Sequence, residues 1–203
     1  MNKRCSICNE TCEDLFCGRC LRELPRVRYP FSIPFIDSLQ VMALYEDPLK
    51  SLMHDVKFKG HLSKAKVFSS LFRLRWKDER VDGVFYIPSH WTREFLRGCN
   101  PGKVLAKEVG KVLGVPTYSI LKRRRLDVPS HTLPGWKRKV KHHRFQVKKK
   151  PPVKRLLLVD DIMTTGKTLQ DAAMAVKFAM PEVEISAVVF LGKGRKEEGF
   201  GRV

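Results

Sequence analysis

Short apolar runs alternate with longer amphipathic stretches along this chain, and proline, glycine and Asp-Pro steps punctuate them. Ile36 to Tyr45 is apolar enough for a strand or hairpin, and Asp47-Pro48 signals a turn after it. Leu49 to Phe58 and Leu62 to Trp76 carry helical spacing and are separated at Gly60. Val81 to Ile87 predicts a strand that Pro88 ends. Arg93 to Arg97 and Val104 to Leu113 predict helices, the second with Gly114 at its C-cap. Pro116 to Leu121 predicts a short strand. Arg155 to Val159 predicts a buried strand, Gly166 to Ala179 a helix and Val183 to Leu191 a last strand. Leu21 to Pro34 contains Pro25, Pro30 and Pro34 and predicts an extended connector. Strands alternating with helices argue an α/β fold around a parallel sheet. Ligands of such sheets bind beyond the carboxyl ends of the strands. The loops after Ile87 and after Val159 both fall there.

Composition agrees with a globular core and adds a strong charge bias. The chain has 203 residues, of which 43% are hydrophobic, enough for one domain with a small appendage. No apolar run is long enough to span a bilayer, and no apolar signal segment follows the first basic residues. A cytoplasmic protein without membrane insertion is the expectation. The formal net charge is +19. Between Lys122 and Arg155 fourteen Lys/Arg face one acid, Asp127, a local charge of +13. Such a block attracts polyanions by phosphate contact and counterion release. A solvated surface, or a loop that neutralises a small charged substrate, is the plainer reading. Trp91, Trp136 and Phe145 lie in or near basic segments, where base stacking or ordinary packing would each account for them.

The stretch from Leu156 to Thr168 carries the most chemistry. Leu156, Leu157, Leu158 and Val159 run into Asp160 and Asp161, and a loop of threonines around Gly166 leads into a helix. Backbone N–H groups and the helix dipole can cup a phosphate in such a loop. Thr164, Thr165 and Thr168 add hydroxyl donors, and the acid pair can accept bonds from sugar hydroxyls or hold Mg²⁺. Gly166-Lys167-Thr168 fits the end of a Walker A loop, but the first glycine of that motif would fall at Asp161. An ordinary strand-to-helix turn is the plainer reading, for which two acids closing a buried strand would be a poor choice. The stretch resembles the phosphoribosyl-pyrophosphate (PRPP) loop of type I phosphoribosyltransferases. That resemblance implies ribose binding by Asp160 and Asp161, and 5′-phosphate binding by Thr164, Thr165, Gly166, Lys167 and Thr168.

Near the N-terminus, Cys5-x-x-Cys8 and Cys17-x-x-Cys20 form two pairs. Each pair can set two thiolates on one tetrahedral ion, which points to structural zinc. Disulfides are disfavoured in a reducing compartment, and a redox motif would expect one pair beside a βαβ unit. Cys12 lies in the spacer and is an alternative ligand. So short a segment would draw much of its folding energy from the metal.

The loop from Ile87 to Asn100 follows a strand, and its amides with Ser89, His90 and Arg93 can face a pyrophosphate. With this loop, nearly the whole chain resembles the ComF family. The shared marks are the double Cys-x-x-Cys unit, a Lys-aromatic-x-Gly step (Lys57 to Gly60), a Pro-x-His-x-x-Arg loop (Pro88 to Arg93) and the terminal PRPP loop. The resemblance implies a type I phosphoribosyltransferase-like parallel sheet flanked by helices, with a small N-terminal zinc knuckle. Residues 1–34 would form the knuckle and connector, and 35–203 the main domain with a basic hood at about 122–155. Ser89, His90, Trp91 and Arg93 would form the pyrophosphate loop. Mg²⁺ would enter with PRPP. Arg97 and Asn100 would be structural or line the site. The family's Arg-Gly-Phe-Asn-Gln is here Arg97-Gly98-Cys99-Asn100-Pro101, and its hood Gln-Thr is His131-Thr132, which alters any acceptor recognition that relied on those side chains.

The function implied is PRPP binding with a role in DNA uptake and natural transformation, in contact with single-stranded DNA and working with a ComF-type helicase. Arg123, Arg124, Arg125, Lys137, Arg138, Lys141 and Arg144 are the candidate nucleic-acid contacts. The alternative is an active phosphoribosyltransferase on a small-molecule acceptor of nucleotide or purine metabolism. Cys5 belongs to the metal pairs and 203 residues leave no room for a glutaminase domain, which argues against a glutamine-dependent amidotransferase.

Overall fold

Two-sided burial decides this architecture. Leu156, Leu157, Leu158 and Val159 are all fully buried, yet Leu156 and Leu158 join one apolar cluster while Leu157 and Val159 join another. Alternate residues of a strand point to opposite faces, so both faces of this sheet are covered. The computed structural model describes residues 3–25, 27–28, 32–58, 62–76, 80–89, 98–124 and 144–196.

Along the chain these form β1 (Lys3–Arg4), β2 (Thr11–Cys12), α1 (Gly18–Glu23), β3 (Val27–Arg28), β4 (Ser38–Leu44), α2 (Leu49–Phe58) and α3 (Leu62–Arg75). Next come β5 (Gly83–Tyr86), α4 (Pro101–Leu113), β6 (Thr117–Tyr118), β7 (Leu121–Arg123) and β8 (Phe145–Val147). The chain continues as β9 (Arg155–Met163), α5 (Lys167–Ala179), β10 (Glu184–Gly192) and β11 (Arg195–Lys196). The central sheet has five strands in the order β4-β10-β9-β5-β6, and every pairing in it is parallel. β7 and β8 make a separate antiparallel ribbon, with Arg123 opposite Phe145.

The helices follow from local signals and from their apolar faces. Asn100 caps α4 by accepting from the Lys103 N–H at 3.1 Å, Pro101 opens the helix, and Gly114 closes it at φ 69°. Leu105, Ala106 and Val109 form the buried stripe of α4. Gly110 allows close approach, since a Cβ there would stand 2.6 Å from Thr117 Oγ1. α5 buries Leu169, Ala172, Ala173 and Val176 against the other face.

Several sequence expectations shift. Ile36 to Tyr45 supplies a single parallel strand and no hairpin. The connector expected from Leu21 begins later, because α1 runs to Glu23, short of Pro25, with Leu21 anchored in the core. Pro116 to Leu121 divides between β6 and β7. The strand expected to end at Val159 runs on through both acids to Met163, because β10 continues to pair with it. The helix expected over Arg93 to Arg97 lies outside the described residues.

The N-terminal segment packs into the main core. Cys5, Phe16, Cys20 and Leu21 share a buried cluster with Phe68, Leu71 and Phe72 of α3. Arg75 ends α3 and donates to the carbonyls of Leu21 (3.1 Å), Arg22 (3.2 Å), Leu24 and, in β4, Met42.

Candidate functional site

The parallel sheet brings the carboxyl ends of β4, β10, β9 and β5 to one edge, and a cleft of about 370 Å³ opens there. Asp160, Asp161, Thr164 and Thr168 line it from β9, the loop beyond and the first turn of α5. Pro88 and Ser89 line it from the end of β5. Thr165, Gly166 and Lys167 complete the loop without lining the cleft; Thr165 and Lys167 are exposed. His90, Trp91 and Arg93 lie outside the described residues.

The two acids are held differently. The Asp161 N–H donates to Asp160 Oδ1 at 3.0 Å, and the Ile162 N–H donates to Asp161 Oδ1 at 2.7 Å. Lys57 Nζ sits 2.8 Å from Asp161 Oδ2, and each of these side chains is 16% exposed. Burial, and then the neighbouring charge of Asp161, push the Asp160 carboxyl well above the usual carboxylate range. The Asp161 N–H and the Lys57 ammonium oppose that rise without cancelling it. Asp160 therefore keeps its proton to higher pH than an ordinary carboxylate, and Asp161 makes the ion pair with Lys57.

The loop is shaped to leave donors free. Gly166 adopts φ 72°, which glycine takes without strain, and a Cβ there would stand 2.6 Å from Ile33 Cδ1. No side chain caps the start of α5, so its first turn turns unclaimed N–H groups and positive dipole toward the loop.

Three cations and one aromatic complete the cleft; Arg123 belongs to the basic segment expected to cover the site, while Lys57, Lys193 and Tyr45 are not expected there from sequence. Lys57 comes from the end of α2; it belongs to the Lys57-to-Gly60 step, which was the available signal. Lys193 follows β10, at the carboxyl end where ligands bind, and its ammonium lies 5.3 Å from the centre of the Tyr45 ring. Arg123 lines the cleft too, with Nε donating to the Pro88 carbonyl at 3.5 Å and its guanidinium 5.2 Å from the Phe145 ring centre. The other candidate nucleic-acid contacts distribute elsewhere. Arg124 lines a second groove, and Arg144 pairs with Asp171 at 3.2 Å. Arg125, Lys137, Arg138 and Lys141 lie outside the described residues. Asn100 lines the cleft and also ties it to the fold, since Nδ2 donates to the Ile87 carbonyl at 3.2 Å while the side chain caps α4.

At the N-terminus the thiols of Cys5, Cys8, Cys17 and Cys20 converge, with all four sulfurs within 4.8 Å of one another. Cys8 and Cys17 sulfurs are 3.7 Å apart. A tetrahedron with metal–sulfur arms of about 2.3 Å has edges of roughly 3.8 Å, so this donor set fits a metal ion and is consistent with a zinc knuckle. Cys12 is not in the group; its thiol donates to the Asp14 carbonyl at 2.9 Å.

Residues 100–199 match the family model of the phosphoribosyl transferase domain. The chain is 24% identical over 182 residues to Competence protein F of Haemophilus influenzae (strain ATCC 51907 / DSM 11121 / KW20 / Rd), covering 83% of this chain and 76% of that protein. It is 27% identical over 166 residues to DNA utilization protein YhgH of Escherichia coli (strain K12), covering 77% and 69%. An orotate phosphoribosyltransferase structure from Aeropyrum pernix aligns with TM-score 0.42 and 21% identity over 68% of this chain and 65% of that one. The parallel sheet, its cleft and the domain match define a phosphoribosyltransferase-like protein. With the competence and DNA-utilization relatives added, they support a protein of the ComF family.

Proposed function

We propose that the cleft binds PRPP, and that the protein uses this ligand in DNA uptake during natural transformation. One observation carries the reading: Asp160, Asp161, Thr164, Thr168 and Ser89 share a single cleft with Lys57, Arg123 and Lys193. Carboxylates suit the ribose hydroxyls, and an uncapped helix start suits the 5′-phosphate. Ser89, with His90, Trp91 and Arg93 of the same loop, takes the pyrophosphate, and Mg²⁺ enters with it. Support for the biological role comes from the names of the relatives, a competence protein and a DNA utilization protein. Contact with single-stranded DNA and with a ComF-type helicase belongs to this proposal, as do the unit boundaries 1–34 and 35–203 and zinc as the metal of the four thiols.

A second reading is favoured by the cations. Lys57, Arg123 and Lys193 could stabilise charge on a departing diphosphate. In that reading a nucleophile attacks C1 of the ribose, the C1–O bond to diphosphate breaks, and the electron pair leaves with the diphosphate. Asp160 and Asp161 then position the sugar.

Calorimetric titration of Mg²⁺-PRPP into zinc-loaded protein tests the reading, beside an Asp160→Asn/Asp161→Asn double variant. Saturable binding that the variant loses is expected. No heat with the wild type would sink it. Diphosphate release on adding candidate acceptors would distinguish transfer from binding.

A further inference from the structure

A second groove of about 290 Å³ lies between the β7–β8 ribbon and the C-terminal end of α5. Phe145 of the ribbon and Ala175 and Ala179 of the helix contribute apolar lining. Phe178 stands beside them 69% exposed, the most exposed large hydrophobic among the described residues. Phe35 is 42% exposed, with its ring centre 6.4 Å from that of Phe178. Two exposed rings side by side cost solvation and need a reason. Arg124 and Lys150 are the charged residues lining the groove, and Lys148 and Lys149 are exposed beside Lys150. No carboxylate lines the groove among the described residues. The acids on its supporting elements are taken, Asp171 by Arg144 and Asp37 by Lys177, each at 3.2 Å.

Exposed flat rings flanked by cations that no carboxylate among the described lining residues opposes match one ligand chemistry in particular. Unstacked bases lie on aromatic faces while the phosphodiester backbone follows the cations. A duplex hides its base faces and would use the cations alone. We propose that this groove is a binding site for single-stranded nucleic acid, with Phe178 and Phe35 as the base platform and Arg124 and Lys150 as phosphate contacts. It deepens the functional reading above and rests on that reading's single-strand contact, but it uses a different surface from the PRPP cleft. Arg123 and Arg124 divide between the two: the first lines the cleft and the second the groove.

Fluorescence anisotropy with a labelled oligothymidylate, at several salt concentrations, tests the proposal on the full zinc-loaded chain. Phe178→Ala is expected to weaken binding roughly 5- to 100-fold with the salt slope unchanged, the signature of one lost stacking contact. Phe178→Trp should restore it. Lys150→Glu should lower the salt slope by about one unit or more. The exposure of both side chains keeps the variants folded, and circular dichroism checks this. Wild-type binding that neither Phe178→Ala nor Lys150→Glu alters would overturn the groove while leaving single-strand contact intact. No wild-type binding would overturn both. A preference for duplex, or for polyglutamate over the oligonucleotide, would assign the groove to another partner and overturn it too.

Discussion

Lys57 and Asp160 show how one side chain decides the state of the cleft. The ammonium of Lys57 compensates Asp161 in a place where each side chain keeps only 16% exposure. Lys57→Met should therefore destabilise the ligand-free protein by about 1–2 kcal/mol. That is below the roughly 3–5 kcal/mol of breaking a fully buried pair, because some solvent reaches both groups. Urea unfolding measures it, and an unchanged midpoint would show the pair to be energetically idle. Asp160 gives a pH dependence of definite sign. Its folded carboxyl titrates above the ordinary value because of burial and the charge of Asp161, so the native state holds a proton that the unfolded chain releases. Stability from this group is complete below the ordinary carboxylate range and is lost as pH rises through the elevated folded value. Asp160→Asn keeps an oxygen acceptor for the Asp161 N–H and abolishes the loss. The variant should melt about 2–4 °C above wild type at neutral pH, equivalent to roughly 1 kcal/mol in a chain of this size, and gain nothing in acid. Equal melting temperatures at neutral pH would contradict the assignment.

At the scale of elements, α4 is fixed to the sheet by one polar side chain. Asn100 is only 4% exposed, caps the helix through Oδ1 and holds the Ile87 carbonyl through Nδ2. Asn100→Ala removes a cap worth about 1 kcal/mol and leaves a carbonyl at the end of β5 without its donor, for a combined cost of roughly 2–3 kcal/mol. Asn100→Asp keeps the cap but sets a buried carboxylate oxygen against the Ile87 carbonyl, so it should cost at least as much; thermal unfolding of the two variants compares the terms. Sequence alone made the local parts of this region readable. The buried run from Leu156 to Val159, the threonine loop and the cysteine pairs are contiguous signals, and each lies in one segment. Tyr45 and Lys193 were not readable as cleft residues, because only the order β4-β10-β9-β5-β6 sets the ends of those distant strands side by side, and Lys57 was legible only through its step to Gly60. The early helix α1 was missed because three prolines outweighed Leu21, whose burial depends on α3, a helix distant in sequence.

At the scale of the whole molecule, the four-thiol unit is continuous with the domain it precedes. Cys5 and Cys20 are buried in the cluster that contains Phe68 and Phe72, so their sulfurs and the helical core share one apolar environment. Arg75 adds a polar tie, since a single guanidinium holds the carbonyls of Leu21, Arg22 and Leu24 and that of Met42 in β4. β4 is the edge strand whose carboxyl end leads to Tyr45 in the cleft. If the thiols hold zinc, releasing it repels four sulfurs held within 4.8 Å, loosens α1 and withdraws acceptors from Arg75. A half-buried guanidinium that loses several acceptors at once is costly, so the disturbance should reach β4 and not stop at residue 34. Chelation is therefore expected to lower the melting temperature of the whole chain by about 10 °C or more in one cooperative transition, with zinc restoring it. Arg75→Met should weaken that dependence, because the sheet would no longer sense the knuckle through its carbonyls. A chelated protein that melts in two steps, with the main transition unmoved, would mean that the knuckle is an independent appendage joined only by apolar contact.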